Sequence, residues 1–294
     1  MPKVLVIIVT YNAHKWIRQC LSSIDIQKYD TLVVDNHSAD DTIHLIHSEF
    51  PDVMLSIQSQ NLGFGKANNI GLQKAMDEDY DYVLLLNQDA WVLPNTIDDL
   101  MAAHGSNPQY GVLSPMQYHS MTNDIERQFA IYVKRYKVDV FSKDIEPVEF
   151  ANAAIWLISK QCIARVGGFD PLFPHYGEDT DYLQRVHHKG YKVGIVPKII
   201  AYHDRESTTT SNIKKDIYKA TLVYIGYIKD ITHSWIVGYF KCFQLFLRKL
   251  IKAIYTMDMT LLRINIAAMR AAFKQMHQVR EHRKLSLKER AFLK

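Results

Sequence analysis

Cysteine is scarce in this chain: Cys20, Cys162 and Cys242 are its only three, and they stand far apart. That excludes a disulfide framework and the paired spacings of a structural zinc site, and it favours a reducing compartment. No HxxxH spacing occurs among the 13 histidines, which excludes the zinc-binding helix of metalloproteases. Long apolar runs are missing as well. The most hydrophobic helical stretch, residues 235–254, is interrupted by Lys241, Arg248, Lys249 and Lys252, and so reads as a poor membrane span. No internal repeat or low-complexity tract is present. Met1-Pro2-Lys3 leads directly into a strand-like run without the apolar core and cleavage site of a signal peptide, so the expectation is a chain exposed to the cytosol.

What is present is enough for a substantial core. Of 294 residues 48% are hydrophobic and 22% charged, which fits one large domain or a medium domain with an appendage. The net charge of +4 hides a division. Residues 213–294 hold 17 Lys and Arg against 5 Asp and Glu, leaving 18 against 26 in residues 1–212. Two parts of opposite sign suggest two tasks, the basic one facing nucleic acid or an anionic membrane.

The first hundred residues alternate strand and helix patterns. Strands are expected at 4–9, 31–34, 53–57 and 82–86, and helices at 13–24, 40–50 and 66–76, with a further helix opening at Pro94. This alternation implies a parallel sheet with helices on both faces. Residues 106–150 give no clear pattern. Later come a strand at 154–159, a helix at 160–166 stopped by Gly167-Gly168, a helix at 178–189, and strand pieces at 192–196 and 199–202. The polar run 206–212 is expected to be a mobile loop and the boundary between parts 1–212 and 213–294.

Polar residues gather at the predicted strand ends. Thr10-Tyr11-Asn12 follows the first strand, Asp35-Asn36 the second, and Asn87-Gln88-Asp89 the fourth. Parallel strands put these on one edge, where open α/β sheets bind ligands. Tyr11 could stack on a nucleotide base, Asp35 could accept from base or ribose, and Asp89 could hold a divalent cation against a diphosphate. Each could equally just begin a loop, where Asn and Asp are common. The loop Asn61 to Asn69 carries Gly63 and Gly65 and opens a helix, an arrangement suited to phosphate. It is not the dinucleotide fingerprint, since Asn68 replaces the third glycine, and a turn with a helix cap explains it equally. Glu178, Asp179 and Asp181 crowd one helix start, either to suit the helix dipole or to supply a general base. His203 ends a strand and is a candidate metal ligand beside Asp89.

In order and spacing, these motifs resemble the family 2 inverting glycosyltransferases of GT-A fold, and more narrowly the bacterial rhamnosyltransferase-like branch. The resemblance rests on Val9 to Asn12, Val34 to Asp40, Asn61 to Asn69, Leu86 to Asp89, Val166 to Asp170, Gly177 to Asp181 and His203, and covers roughly residues 3–210. It implies a GT-A, mostly parallel central sheet flanked by helices, with a Rossmann-like nucleotide-binding half, and the C-terminal helices as an appendage. It implies that Thr10, Tyr11, Asn12, Asp35, Asn61, Gly63, Lys66, Asn87 and Gln88 bind the nucleotide sugar. Asp89 then matches the last carboxylate of the DxD element, binding Mg²⁺ or Mn²⁺ with help from His203. Asp179 matches the catalytic base, with Trp156 and Glu178 on the acceptor side. Asn87 replaces the first acid of DxD, and Ala153-Ala154 replaces a glycine near the acceptor. The implied partners are a nucleotide-sugar donor and a glycan or lipid-linked acceptor of cell-surface polysaccharide synthesis, met at the inner face of the membrane.

The basic part reads as two amphipathic helices. On 235–254, Trp235, Tyr239, Phe243, Phe246, Leu250 and Ile254 share one side, with Lys241, Arg248 and Lys252 opposite. A second helix is expected over 262–276. Both either pack on the catalytic part or on a second copy in a homo-oligomer, or make peripheral membrane contact through 231–276. Nucleic acid is not an expected partner, because aromatics and charges segregate instead of interleaving. Two alternatives remain open: a nucleotidyltransferase, against which Tyr11 to Arg18 lacks the glycine-rich phosphate loop, and a non-catalytic sugar-nucleotide-binding or scaffold subunit at the membrane.

Overall fold

A computed structural model describes residues 2–205 and 212–294. The expected loop at 206–212 falls, except for Asn212, outside the described residues. Strands β1 (Val4–Thr10), β2 (Asp30–Asp35), β3 (Met54–Ile57) and β4 (Tyr82–Asn87) alternate with helices α1 (Ile17–Ser22), α2 (Thr42–Glu49) and α3 (Phe64–Asp77). These strands lie parallel in the order β3-β2-β1-β4. They are apolar on both sides because helices cover both faces. Leu5 and Ile7 enter one core with Val83 and Leu85, while Val4, Val6 and Ile8 enter the other with Leu84 and Leu86.

The second half of the sheet is mixed. After β5 (Ala90–Val92) and α4 (Thr96–Ser106) come β6 (Tyr110–Tyr118), α5 (Arg127–Tyr136), β7 (Glu146–Val148), β8 (Ile155–Ser159), α6 (Lys160–Val166), α7 (Glu178–His188) and β9 (Lys192–His203). The sheet continues from β4 as β8-β6-β9-β5, with β7 also on β9. Strand β8 runs antiparallel to both its neighbours. The two expected strand pieces at 192–202 are one strand, β9, whose register against β6 jumps from Val196 to Ile200. Pro197 lies in that interval and cannot donate to the ladder. Helix α4 starts at Thr96 instead of at Pro94, because Asn95 between them takes a left-handed φ of 68°.

The C-terminal part holds α8 (Ile213–Lys229), α9 (Trp235–Tyr255), α10 (Met259–Lys274) and α11 (Met276–Ser286) around a third core. Sequence patterning missed α8 and α11. The expected apolar side of α9 is divided: Trp235, Tyr239 and Phe246 pack into the third core, whereas Phe243 and Ile254 are exposed. The face turned inward carries the small residues Gly238, Cys242 and Ala253.

A buried charge cluster joins these helices to the sheet-bearing part. Lys229 of α8 pairs with Asp170 at 2.6 Å and with Asp181 of α7. Asp181 also accepts from Arg185 Nε at 2.9 Å, and His282 of α11 reaches Asp170. The C-terminal tail returns to the same region, where Gly168 N–H donates to the Ala291 carbonyl at 2.8 Å. Gly167, with φ of 87°, leaves no room for a Cβ beneath that carbonyl.

Candidate active site

The parallel register brings the expected strand tips together: Thr10 pairs with Asp35, and Val9 with Asn87. Their side chains then take different parts. Thr10 and Asp35 are fully enclosed. Asp35 accepts from Thr10 Oγ1 at 2.9 Å, from Ser38 N–H at 2.9 Å and from Ser38 Oγ at 2.6 Å. These bonds let the Asp35 carboxylate organise the 36–39 loop at this edge of the sheet. The loop is tied from the other side by Asn12, whose N–H donates to Ser38 Oγ at 2.9 Å and whose Oδ1 accepts from Ala39 N–H at 2.8 Å. Asn12 sits at φ 50°, a conformation asparagine tolerates. Tyr11 is 49% exposed, with its backbone N–H held by Gln88 Oε1 at 2.8 Å. An open ring on a fixed backbone suits base stacking. Asn87 is half-buried, its N–H donating to Ala154.

Asp89 and His203 meet at the sheet edge because β5 pairs with β9, Ala90 opposite His203. His203 Nε2 stands 3.5 Å from Asp89 Oδ1. His203 is fully buried, and its Nε2 has no hydrogen-bond partner among the described residues. On the other side, Nδ1 lies 3.3 Å from Gln117 Oε1, and Gln117 Nε2 donates to Ser114 Oγ at 3.2 Å. That orientation makes Nδ1–H the donor and leaves a lone pair on Nε2 aimed at a carboxylate oxygen. Two facing acceptors without a proton between them fit a divalent cation, with Gln117 as the outer partner that sets the tautomer. No cluster of three or more such ligands occurs among the described residues.

The glycine loop packs closely against the 169–178 segment. Gly63 has φ 81°, and a Cβ there would lie 2.1 Å from the Pro174 carbonyl oxygen. A Cβ on Gly65 would meet Phe169 at 2.8 Å. Only glycine admits the segment this closely at both positions. Asn61 Oδ1 accepts from Asn36 Nδ2 and Gly63 N–H, each at 2.9 Å, and Lys66 is exposed at the start of α3.

Of the three carboxylates opening α7, Asp181 turns inward to the charge cluster. Glu178 and Asp179 stay half-buried at the site. Burial pushes Glu178 up to about 8, the Asp179 charge adding to the effect, and its Oε2 has no partner among the described residues. Burial also raises Asp179, against the Thr180 N–H at 2.7 Å and the nearby Arg205 guanidinium, which favour its charge. Arg205 follows His203 by two positions, so one short segment borders both Asp89 and Asp179. Sequence reading missed Arg205, Gln117 and Tyr132, a ring close enough to feel the charges of Asp179 and Arg205. Trp156, expected on the acceptor side, is fully buried, stacked on Phe169 at 6.3 Å and tilted against Tyr182 at 5.8 Å, because β8 is enclosed on both faces. It belongs to the core beside α7, and its Nε1 has no hydrogen-bond partner among the described residues.

The Glycosyl transferase family 2 model matches residues 5–163. The chain belongs to glycosyl transferase family 2. Among similar curated proteins is the N-acetylglucosaminyl-diphospho-decaprenol L-rhamnosyltransferase of Mycobacterium tuberculosis, 24% identical over 255 residues, spanning 75% of this chain and 83% of the relative. Among solved structures, Staphylococcus aureus TarS 1–349 in complex with UDP-GlcNAc aligns with a TM-score of 0.60 at 14% identity, covering 97% of this chain and 84% of that one. Mannosyltransferase PcManGT from Pyrobaculum calidifontis, in complex with GDP-Man and Mn²⁺, aligns with a TM-score of 0.59 at 16% identity, covering 94% and 88%. The fold is that of the GT-A glycosyltransferases.

Proposed function

We propose that this family 2 glycosyltransferase is metal-dependent and inverting. It moves a sugar from a nucleoside diphosphate to a hydroxyl of a glycan or lipid-linked acceptor in cell-surface polysaccharide synthesis, working at the inner face of the cell membrane. The observation that carries the reading is the separation of two acidic stations bordered by one segment, 203–205. Asp89 faces the orphaned Nε2 of His203, and Asp179 lies beside Glu178 and Arg205. The names of the relatives support a nucleotide-sugar donor and a lipid-linked or polymeric acceptor.

Asp89 and His203 would hold Mg²⁺ or Mn²⁺, which supplies Lewis-acid stabilisation of a departing diphosphate. Tyr11 stacks on the base, and Gln88 keeps Tyr11 in place. Asp179 accepts the proton of the acceptor hydroxyl as that oxygen attacks the anomeric carbon opposite the diphosphate, so the configuration inverts. A carboxylate whose proton affinity is raised by burial is a better base near neutral pH than an exposed one. The C-terminal helices make peripheral membrane contact through residues 231–276. No helix of the described residues is long and apolar enough to cross a membrane.

Asp179→Asn tests the reading. Binding of the donor, followed by the Mn²⁺-dependent rise in melting temperature across a panel of nucleotide sugars, is expected to persist. Transfer is expected to fall by about 10²–10⁴-fold, the usual contribution of a general base. Turnover equal to wild type would remove Asp179 from the role.

A further inference from the structure

A groove of about 1000 Å³ lies between α5, α7, α8 and the start of α9. Gly177 and Thr180, on either side of the Glu178–Asp179 pair, are part of its lining. Along α8 the lining advances from Lys219 to Asp230 on one helical face, a length of roughly 16 Å at about 1.5 Å per residue. We propose that this groove seats the acceptor, and that the acceptor is an amphiphile: a saccharide joined through a phosphate link to a hydrocarbon chain. The proposal rests on the glycosyltransferase reading above and names its second substrate class.

Three features point to that chemistry. Tyr132, Tyr136, Phe150, Tyr176 and Tyr227 line the groove, and aromatic faces suit the apolar sides of sugar rings. The charges come next. Of the lining carboxylates, Asp181 is neutralised by Lys229 and Arg185, and Asp230 accepts from Thr232 and adjoins His233. Lys219, over the Tyr176 ring at 4.4 Å, and Lys241 of α9 then give the α8–α9 wall a positive character, while Glu149 belongs to the β7 side. A phosphate link fits beside the two lysines.

The third feature is where Lys241 stands. It follows Phe240 and lies one turn from Val237, both exposed. From there Ile236, Phe240, Phe243, Leu247, Ile251 and Ile254 form a single outward apolar line on α9, all of them exposed. From Ile236 to Ile254 this line is about 27 Å long at about 1.5 Å per residue. Exposed Lys241, Arg248 and Lys252 follow along one flank. A solvent-facing apolar line beside a row of cations suits an anionic bilayer surface. The groove reaches that surface at Lys241, so a molecule held by its polar end near Asp179 leaves its chain in the membrane.

Gly226 permits a direct test. It lines the groove, and a Cβ built there meets nothing within 4 Å. Gly226→Trp fills the space, and Gly226→Ala is the control. Farnesyl diphosphate serves as the probe, titrated in chelator so that no cation bridges it to Asp89, with binding read by calorimetry. The full-length chain is expected to bind it saturably and to bind inorganic diphosphate at least about tenfold more weakly. Gly226→Trp, and separately Lys219→Ala with Lys241→Ala, are each expected to weaken binding by about tenfold or more, with Gly226→Ala unchanged. Melting curves confirm folding, and the lysine pair keeps the test valid if the tryptophan variant does not fold. Absence of binding to wild type, equal binding of inorganic diphosphate, or full binding by the folded variants would each overturn the proposal. Donor binding by wild type with Mn²⁺ is measured alongside. Its loss would instead count against the glycosyltransferase chemistry proposed for Asp89 and His203.

Discussion

Replacing Glu178 with Gln is expected to stabilise the protein at alkaline pH and to leave it unchanged near pH 5. The cause is burial. Glu178 is pushed from 4.5 to about 8 by burial, with the Asp179 charge as a second contribution. Below pH 4.5 the carboxyl is neutral in both folded and unfolded chains, and its ionisation costs nothing. Between 4.5 and 8 the unfolded chain ionises while the folded one retains its proton, so stability falls as pH rises through this window. Roughly 3.5 pH units at about 1.4 kcal/mol each set an upper bound of about 5 kcal/mol. Asp179 shares the site and takes part of that cost, which leaves about 2–4 kcal/mol to be recovered by the amide. A chain of this size has an unfolding entropy of about 0.6 kcal/mol/K, so the variant is expected to melt about 3–6 °C above wild type at pH 8.5. Differential scanning calorimetry of both proteins at pH 5, 7 and 8.5 measures the difference. A melting difference that stays constant with pH, or that favours wild type at pH 8.5, would refute the reasoning.

Two further predictions concern the metal pair and the charge cluster. Asp89→Ala and His203→Ala are each expected to abolish the Mn²⁺-dependent part of the donor's thermal stabilisation, and Gln117→Leu to weaken Mn²⁺ by about 10–100-fold through the freed imidazole. Stabilisation of the Asp89 variant equal to wild type in chelator and in Mn²⁺ alike would sink the assignment. Lys229→Met leaves Asp170 and Asp181 buried without their shared cation, at a cost of about 3–5 kcal/mol or about 5–8 °C. Burial alone would raise Asp170, but His282 and Lys229 hold it down at about 2, so wild-type stability is expected to fall as pH drops from about 4 towards 2. A variant melting within about 1 °C of wild type would show that the cluster contributes little.

The parallel half was legible because it repeats one unit, an apolar strand followed by a polar tip and an amphipathic helix. The same regularity places Tyr11, Asn87 and Asp89 on one edge. The segment from β6 to β7 was not legible. Strand β6 contains Gly111, Pro115 and Gln117, none of them typical of a central strand, and it is buried along nearly its whole length. Helix α5 is amphipathic but only ten residues long, and Phe129 is the one residue of it that is buried. Gln117 and Tyr132 therefore stayed hidden with their elements. Thr10, Asp35 and Gly63 stand in the expected loops, but the contacts they make within the protein were not legible. A polar residue that organises a loop and one that touches a ligand look alike in one sequence. The burial of Trp156 was hidden for a related reason: position near an expected site says nothing about which way a strand turns its side chain.

The opening of α7 shows how one acidic run can serve two purposes. Successive residues turn by about 100°, so Asp179 and Asp181 point to different surroundings although only Thr180 separates them. Asp181 is fixed from within its helix by Arg185 and from outside by Lys229, and Arg185 also donates to the carbonyls of Val166 and Gly168. Rotating α7 to redirect Asp179 would break all of these bonds inside the core. The direction of the proposed base is thus set by a lysine from α8, and the partner carboxylate of that lysine, Asp170, is held in turn by a histidine from α11. Helices that contribute no metal ligand and no base still determine where the base points. This is why the charge division at residue 212, clear in the sequence, does not mark a place where the chain could be cut: without Lys229 and His282, two buried carboxylates beneath the site would face each other with Arg185 alone.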